Sequence, residues 1–145
     1  MQQIILETIF MLTGKLTSSQ LNNELSQYPD YDDNYQVDSA SLQNLVTLTK
    51  QLNIVVIVGT WCPDCHRDIP RFMSVIEEIN NDNIQVEYLA VDKQKTDPQG
   101  LAARYSFERI PTYIVLHENN EIGRIVERPA ISLEKDLIEI INKLK

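Results

Sequence analysis

The sequence predicts an α/β fold, a mixed central sheet with helices on both faces, preceded by a helical N-terminal extension. Three observations carry this. The run Ile54-Val55-Val56-Ile57-Val58 is apolar throughout, as a strand covered on both faces requires. A helical pattern starting at or near Pro63 and a strand pattern over Ile84–Val91 follow it, which makes a parallel strand–helix–strand unit. Two later strand patterns, Tyr113–His117 and Ile122–Glu127, flank Glu118-Asn119-Asn120-Glu121, a hairpin signal that gives the sheet an antiparallel edge. The expected organisation is an extension over residues 1–50 packed on a core domain over residues 51–145.

In chain order, Ile5, Ile9 and Leu12 recur at helical spacing, so a first helix is expected over Gln2–Leu12, closed by Gly14; a short strand is the runner-up. Thr17 or Ser18 is a cap for a second short helix over Ser19–Leu25. Gln27–Asp38 is a loop by composition, with Tyr28, Tyr31 and Tyr35 laid over the core. It lacks the ligand order of a calcium loop. A third helix starts at Asp38 or Ser39, turns Leu42, Leu45, Val46 and Leu48 inward and ends near Gln51. After the Ile54–Val58 strand, the helix from Pro63 runs to about Asn80, and Pro70 inside it removes a hydrogen bond and kinks it. Pro98 opens a short helix through Tyr105. Gly123 marks a bulge or a close approach in the returning strand. Ser132 caps the final helix, whose apolar face is Leu133, Leu137, Ile138, Ile140, Ile141 and Leu144.

Composition narrows the function. The 145 residues suffice for one domain, and 43% hydrophobic content is that of a globular chain. A net charge of -8 argues against nucleic acid and anionic membranes, and favours basic or neutral partners. No stretch approaches the length of a membrane span. The N-terminal run has no basic region and is interrupted by Glu7, unlike a signal peptide. A cytoplasmic location is expected, with export open should a leader have been removed.

The two cysteines carry the chemistry. Cys62 and Cys65 lie two residues apart, directly after the apolar strand and at the start of a helix. A cysteine attacks as thiolate, and the free N–H groups of a helix start favour negative charge there. Pro63 suits the first helical position. Cys62 is therefore the expected attacking thiol and Cys65, one turn in and more buried, the resolving thiol. Asp64 opposes a thiolate, while His66 and Arg67 favour it. Cys-Pro-Asp-Cys-His also satisfies the c-type haem pattern, but a haem loop rarely sits between such a strand and helix. Zinc requires about four ligands, and beyond His66 the other histidine is His117, in a separate strand. Neither metal nor cofactor is expected. Two inert cysteines are the plain alternative.

With these elements, residues 50–145 resemble the thioredoxin superfamily. Trp61-Cys62-x-x-Cys65 is similar to its active-site motif, Pro70 to its kink proline, and Phe107-Glu108-Arg109-Ile110-Pro111-Thr112 to the segment holding its cis-proline. The resemblance implies a thioredoxin-like fold and a thiol–disulfide oxidoreductase acting on protein disulfides. A thioredoxin reductase or glutathione system would then supply electrons. It puts Ile110, Pro111 and Thr112 beside the cysteines, where the backbone pairs with extended substrate, and makes Trp61 a mostly exposed aromatic lid. The sequence departs from the family at several places, among them Pro63-Asp64 between the cysteines where Gly-Pro is common, a longer loop from Asp92 to Arg109 and the N-terminal fifty residues. Val56 stands where members commonly bury an acid, Tyr88 replaces that acid's usual lysine partner, and Pro129 falls where glycine is frequent. Proton transfer at Cys65 is then expected through water, Asp64 or His66. The rival class is a thioredoxin-fold binding module whose cysteines do not turn over.

Overall fold

The computed structural model describes residues 11–144. Its sheet has five strands in the order β1-β3-β2-β4-β5: β1 Gly14–Leu16, β2 Leu52–Val58, β3 Ile84–Ala90, β4 Thr112–His117 and β5 Asn120–Val126. The helices are α1 Ser18–Leu25, α2 Gln43–Val46, α3 Pro63–Ile79 and α4 Leu133–Ile141, with single tight turns at Ser39–Leu42 and Ala102–Tyr105. Strand β2 is central. It pairs parallel with β3 and antiparallel with β4, and Ile54 to Val58 are all buried. That explains the unbroken apolar run: from Ile54 to Val58 neither face of β2 meets water, and the exposed Asn53 lies before it.

The N-terminal segment departs from the helical expectation. The expected helix over Gln2–Leu12 lies almost wholly outside the described residues. Gly14 does not close a helix. It begins β1, which pairs antiparallel with β3 from Gly14↔Ala90 to Leu16↔Tyr88, so the extension supplies an edge strand of the sheet. Thr17 is the cap of α1: its hydroxyl accepts from the Gln20 N–H, and the Gln20 side chain accepts from the Thr17 N–H. Leu21, Leu25, Leu42 and Leu45 are buried in the same core as β2.

The helix expected from Ser39 to Gln51 stops at Val46. Side chains from the α3–β3 connection take its carbonyls: Asn81 Nδ2 donates to Leu45 and Leu48, and Asn83 Nδ2 donates to Leu48. Val46 consequently points outward, 38% exposed. The helix expected at Pro98 is only the turn Ala102–Tyr105. Asp97 holds its start, its carboxylate accepting from the N–H groups of Leu101 and Ala102.

The hairpin turns on Glu118 and Asn119, both at positive φ, with His117 opposite Asn120. The register slips between Val115 and Leu116, and Gly123 meets α4 so closely that a Cβ there would lie 2.8 Å from Ile140. Bulge and close approach thus occur together. Ser132 caps α4 by accepting from the Lys135 N–H at 3.0 Å.

The tyrosine-rich loop is fastened at four points. Tyr28 stacks on His66 with ring centroids 3.7 Å apart. Tyr31 donates to Asn22 at 2.7 Å, and Asp32 pairs with Arg71 at 2.7 Å. Tyr35 donates to both oxygens of Glu134, which also accepts from the Asp38 N–H. Glu134 is 1% exposed, so this carboxylate anchors the loop on α4 from within. Composition gave no hint of that role, because a glutamate in a first helical turn is ordinarily solvated.

Candidate redox-active site

β2 delivers the chain to the site through Gly59 and Thr60. Cys62 is the N-cap of α3, in extended conformation, and Pro63 takes the first helical position. The Cys62 N–H donates to the Gly59 carbonyl at 3.1 Å, closing the turn. Both cysteines are free thiols; Cys62 is 8% exposed and Cys65 is fully buried.

Their electrostatics diverge. The Cys62 thiol is brought down to about 6, first by the hydrogen bond from the Cys65 thiol and then by the N–H groups of Cys65 and Asp64; burial and the Asp64 charge oppose this. The Cys65 thiol is pushed well up, mainly by burial, then by its hydrogen bond to Cys62 and the charge of Cys62. One sulfur is thus an anion near neutral pH and the other a proton donor to it, the division that disulfide exchange requires.

The remaining sequence-predicted residues distribute around this pair. Trp61 is half-buried rather than mostly exposed. Its indole N–H donates to the Val91 carbonyl at 2.9 Å, and its ring lies over Gly59, where a Cβ would come within 2.7 Å of it. The indole donor needed a partner, and the residue just after β3 provides it. Ile110 reaches the same place: its Cδ1 would lie 2.9 Å from a Gly59 Cβ. Gly59 therefore joins the motif turn, Trp61 and the loop before β4, and its importance was not visible from sequence. The Ile110–Pro111 peptide is cis, Ile110, Pro111 and Thr112 are buried, and the Thr112 hydroxyl donates to the Arg109 carbonyl. The Pro111 carbonyl accepts from the Glu127 N–H at 2.7 Å, which ties this loop to the end of β5. Asp64 lies toward solvent and pairs with Arg67 at 3.2 Å.

His66 is occupied elsewhere. Its Nε2 lies 2.6 Å from the Thr60 carbonyl, so that nitrogen carries the proton, and its ring is stacked on Tyr28. Val56 sits in register between Tyr88 of β3 and Tyr113 of β4, so two tyrosines flank the position that lacks an acid. No group of metal-ligating side chains occurs among the described residues.

A thioredoxin family model matches residues 15–139. The chain belongs to the thioredoxin family. Within that family it is 27% identical to thioredoxin H5 of Arabidopsis thaliana over 54% of this chain and 61% of that protein. It is 29% identical to the thioredoxin of Mycoplasmopsis pulmonis over 52% of this chain and 70% of that protein. A thioredoxin-like protein of Acanthamoeba polyphaga mimivirus is 24% identical over 63% of this chain and 64% of its own length. The chain thus spans a little under two thirds of two of these three relatives. Among solved structures, a Pseudomonas aeruginosa protein of unknown function matches with a TM-score of 0.58 at 21% identity, covering 88% of this chain and 82% of that one. An HIV epitope scaffold matches with a TM-score of 0.57 at 20% identity, covering 88% and 83%. These likenesses establish the fold. Family membership and the adjacent cysteine pair support a redox function.

Proposed function

We propose that this protein is a thiol–disulfide oxidoreductase that reduces protein disulfides through Cys62 and Cys65. The observation that carries the reading is the split between the two thiols, one lowered to about 6 and the other raised and fully buried. The Cys62 thiolate attacks a substrate disulfide and forms a mixed disulfide, releasing the first substrate thiolate. Cys65 then loses its proton and attacks the Cys62 sulfur. The Cys62–Cys65 disulfide forms, the second substrate thiolate leaves, and two electrons have passed to the substrate. The loop at Arg109 and Ile110 provides a backbone edge for an extended substrate, and Trp61 an apolar contact. A thioredoxin reductase or a glutathione system would return the electrons, in the cytoplasm. A potential in the range of about -200 to -270 mV suits that direction.

The test is a trap. In Cys65→Ser the resolving thiol is gone, so partners accumulate on Cys62 as mixed disulfides, seen as dithiothreitol-sensitive adducts whose mass spectra map to Cys62. Adducts absent from Cys65→Ser, or mapping away from Cys62, would leave a thioredoxin-fold binding module.

A further inference from the structure

Resolution of the mixed disulfide requires that Cys65, fully buried and held as a thiol mainly by that burial, give up a proton. The titratable side chains of the motif are engaged with other partners. Asp64 is turned outward and paired with Arg67, and the His66 ring is engaged by the Thr60 carbonyl and Tyr28. β2 contains no acid from Leu52 to Val58.

Two other groups are placed to serve. Asp68 lies three residues after Cys65 on α3, hence on the same helical face. Its side chain is 12% exposed; Arg67 grips both of its oxygens, at 2.8 and 3.1 Å, and a carboxylate has further acceptor sites beyond those two bonds. Tyr113 projects from β4 opposite Val56, wholly buried, and its hydroxyl has no hydrogen-bond partner, alone in this among the described residues' buried side-chain polar atoms. Asp68 and Tyr113 line one cavity of about 190 Å³, partly open to solvent, with Tyr35, Arg71 and Glu127 also on its wall. Pro129, Ile131 and Leu133 lie on the wall too, so polar groups occupy one part of a mixed lining, and the space is large enough for water. The groups sense one another: the charge of Asp68 acts on both Cys65 and Tyr113, and Cys65, Tyr88 and Arg67 act on Tyr113.

We propose that Asp68 accepts the proton of Cys65, through water positioned by the Tyr113 hydroxyl in the cavity beside α3. This rests on the oxidoreductase reading above. In the step, the Cys65 S–H breaks, its proton reaches the Asp68 carboxylate through the water, and the Cys65 thiolate forms the S–S bond to Cys62. The departing substrate thiolate carries the electron pair of the broken bond and is protonated from solvent, to which Asp68 afterwards releases its proton. Asp68 is the acceptor; Tyr113, acting through water, is a positioning residue.

The sign of one substitution separates this role from a purely electrostatic one. The negative charge of Asp68 raises the Cys65 thiol. If that were all it did, Asp68→Asn would make Cys65 more acidic and speed resolution. As proton acceptor, its loss slows resolution.

The experiment mixes reduced protein with excess bis-nitrobenzoate disulfide in a stopped-flow instrument. Two releases of coloured thiolate follow, first from attack by Cys62 and second from resolution by Cys65. Asp68→Asn is expected to leave the first phase unchanged and to slow the second by roughly 100-fold at pH 7. The pH profile of the second phase moves to higher pH. Asp68→Glu restores most of the rate. Tyr113→Phe, which removes only an unpartnered hydroxyl and should fold, slows the second phase by a smaller factor without altering the first. A second phase that Asp68→Asn leaves unchanged or accelerates overturns the proposal. Should Asp68→Asn not fold, an unaltered second phase in Tyr113→Phe overturns it instead. Absence of both phases in the wild type would refute the oxidoreductase reading itself, a result distinguishable from either of these.

Discussion

Replacing Cys65 with alanine removes the largest single cause of the low Cys62 value, the hydrogen bond donated by the Cys65 thiol. With the thiol at about 6, Cys62 holds about ten thiolates per thiol at pH 7; at the ordinary value of 9.0 it would hold about one per hundred. The alanine variant keeps the N–H groups of Cys65 and Asp64, because these belong to the backbone of the α3 start. Only part of the shift is therefore lost, and Cys62 is expected to titrate between about 7 and 8. Cys65→Ser, whose hydroxyl also donates, is expected to fall between alanine and wild type. The assay is the pH dependence of thiolate absorbance, checked by the rate of iodoacetamide alkylation. The alkylation rate changes less than the thiolate fraction, since a more basic thiolate is a better nucleophile by a Brønsted slope of about 0.4–0.5. A Cys62 that still titrates near 6 in Cys65→Ala would refute the reasoning and assign the whole effect to the helix start.

Three further outcomes follow from the geometry. The reduced protein should gain stability as pH rises from about 6 to 9, because the unfolded chain there holds a proton on Cys62 that the native protein has lost; the gain disappears as pH falls through about 6. Comparing melting temperatures of reduced wild type and Cys62→Ser across that range isolates it, and a difference independent of pH would count against it. Glu134→Ala strands the Tyr35 hydroxyl and the Asp38 N–H and should cost about 2–3 kcal/mol in urea denaturation; a loss under about 0.5 kcal/mol, the level of an ordinary surface change, would show the loop is held by other contacts. Gly123→Ala drives a methyl to 2.8 Å from Ile140 and should cost about 1–3 kcal/mol by the same measurement, whereas a neutral result would mean α4 shifts freely.

The elements legible in the sequence were those whose pattern depends on few partners. The Ile54–Val58 run, the α3 pattern from Pro63 and the Ser132 cap each state their structure locally, and β2, α3 and α4 follow them. β1 was missed because a strand of three residues has no measurable periodicity, and its identity is fixed by pairing with β3. The overlong helix after Ser39 failed for a tertiary reason: the carbonyls of Leu45 and Leu48 are taken by Asn81 and Asn83, more than thirty residues away. At the site, Cys62, Cys65 and Pro63 could be placed from the strand–turn–helix context. Gly59, the Tyr28–His66 stack and the Asp68–Tyr113 cavity could not, since each depends on segments distant in sequence meeting at α3. The spacing of Cys65 and Asp68 on one helical face was the one available hint.

The most direct measurement is dithiothreitol-driven reduction of insulin near neutral pH, followed by the turbidity of the freed chain. Wild type should accelerate the reaction, and Cys62→Ser should reduce the rate to that of dithiothreitol alone. A wild type no faster than dithiothreitol alone, or a Cys62→Ser protein as active as wild type, would contradict the assignment of Cys62 and Cys65 as a working dithiol.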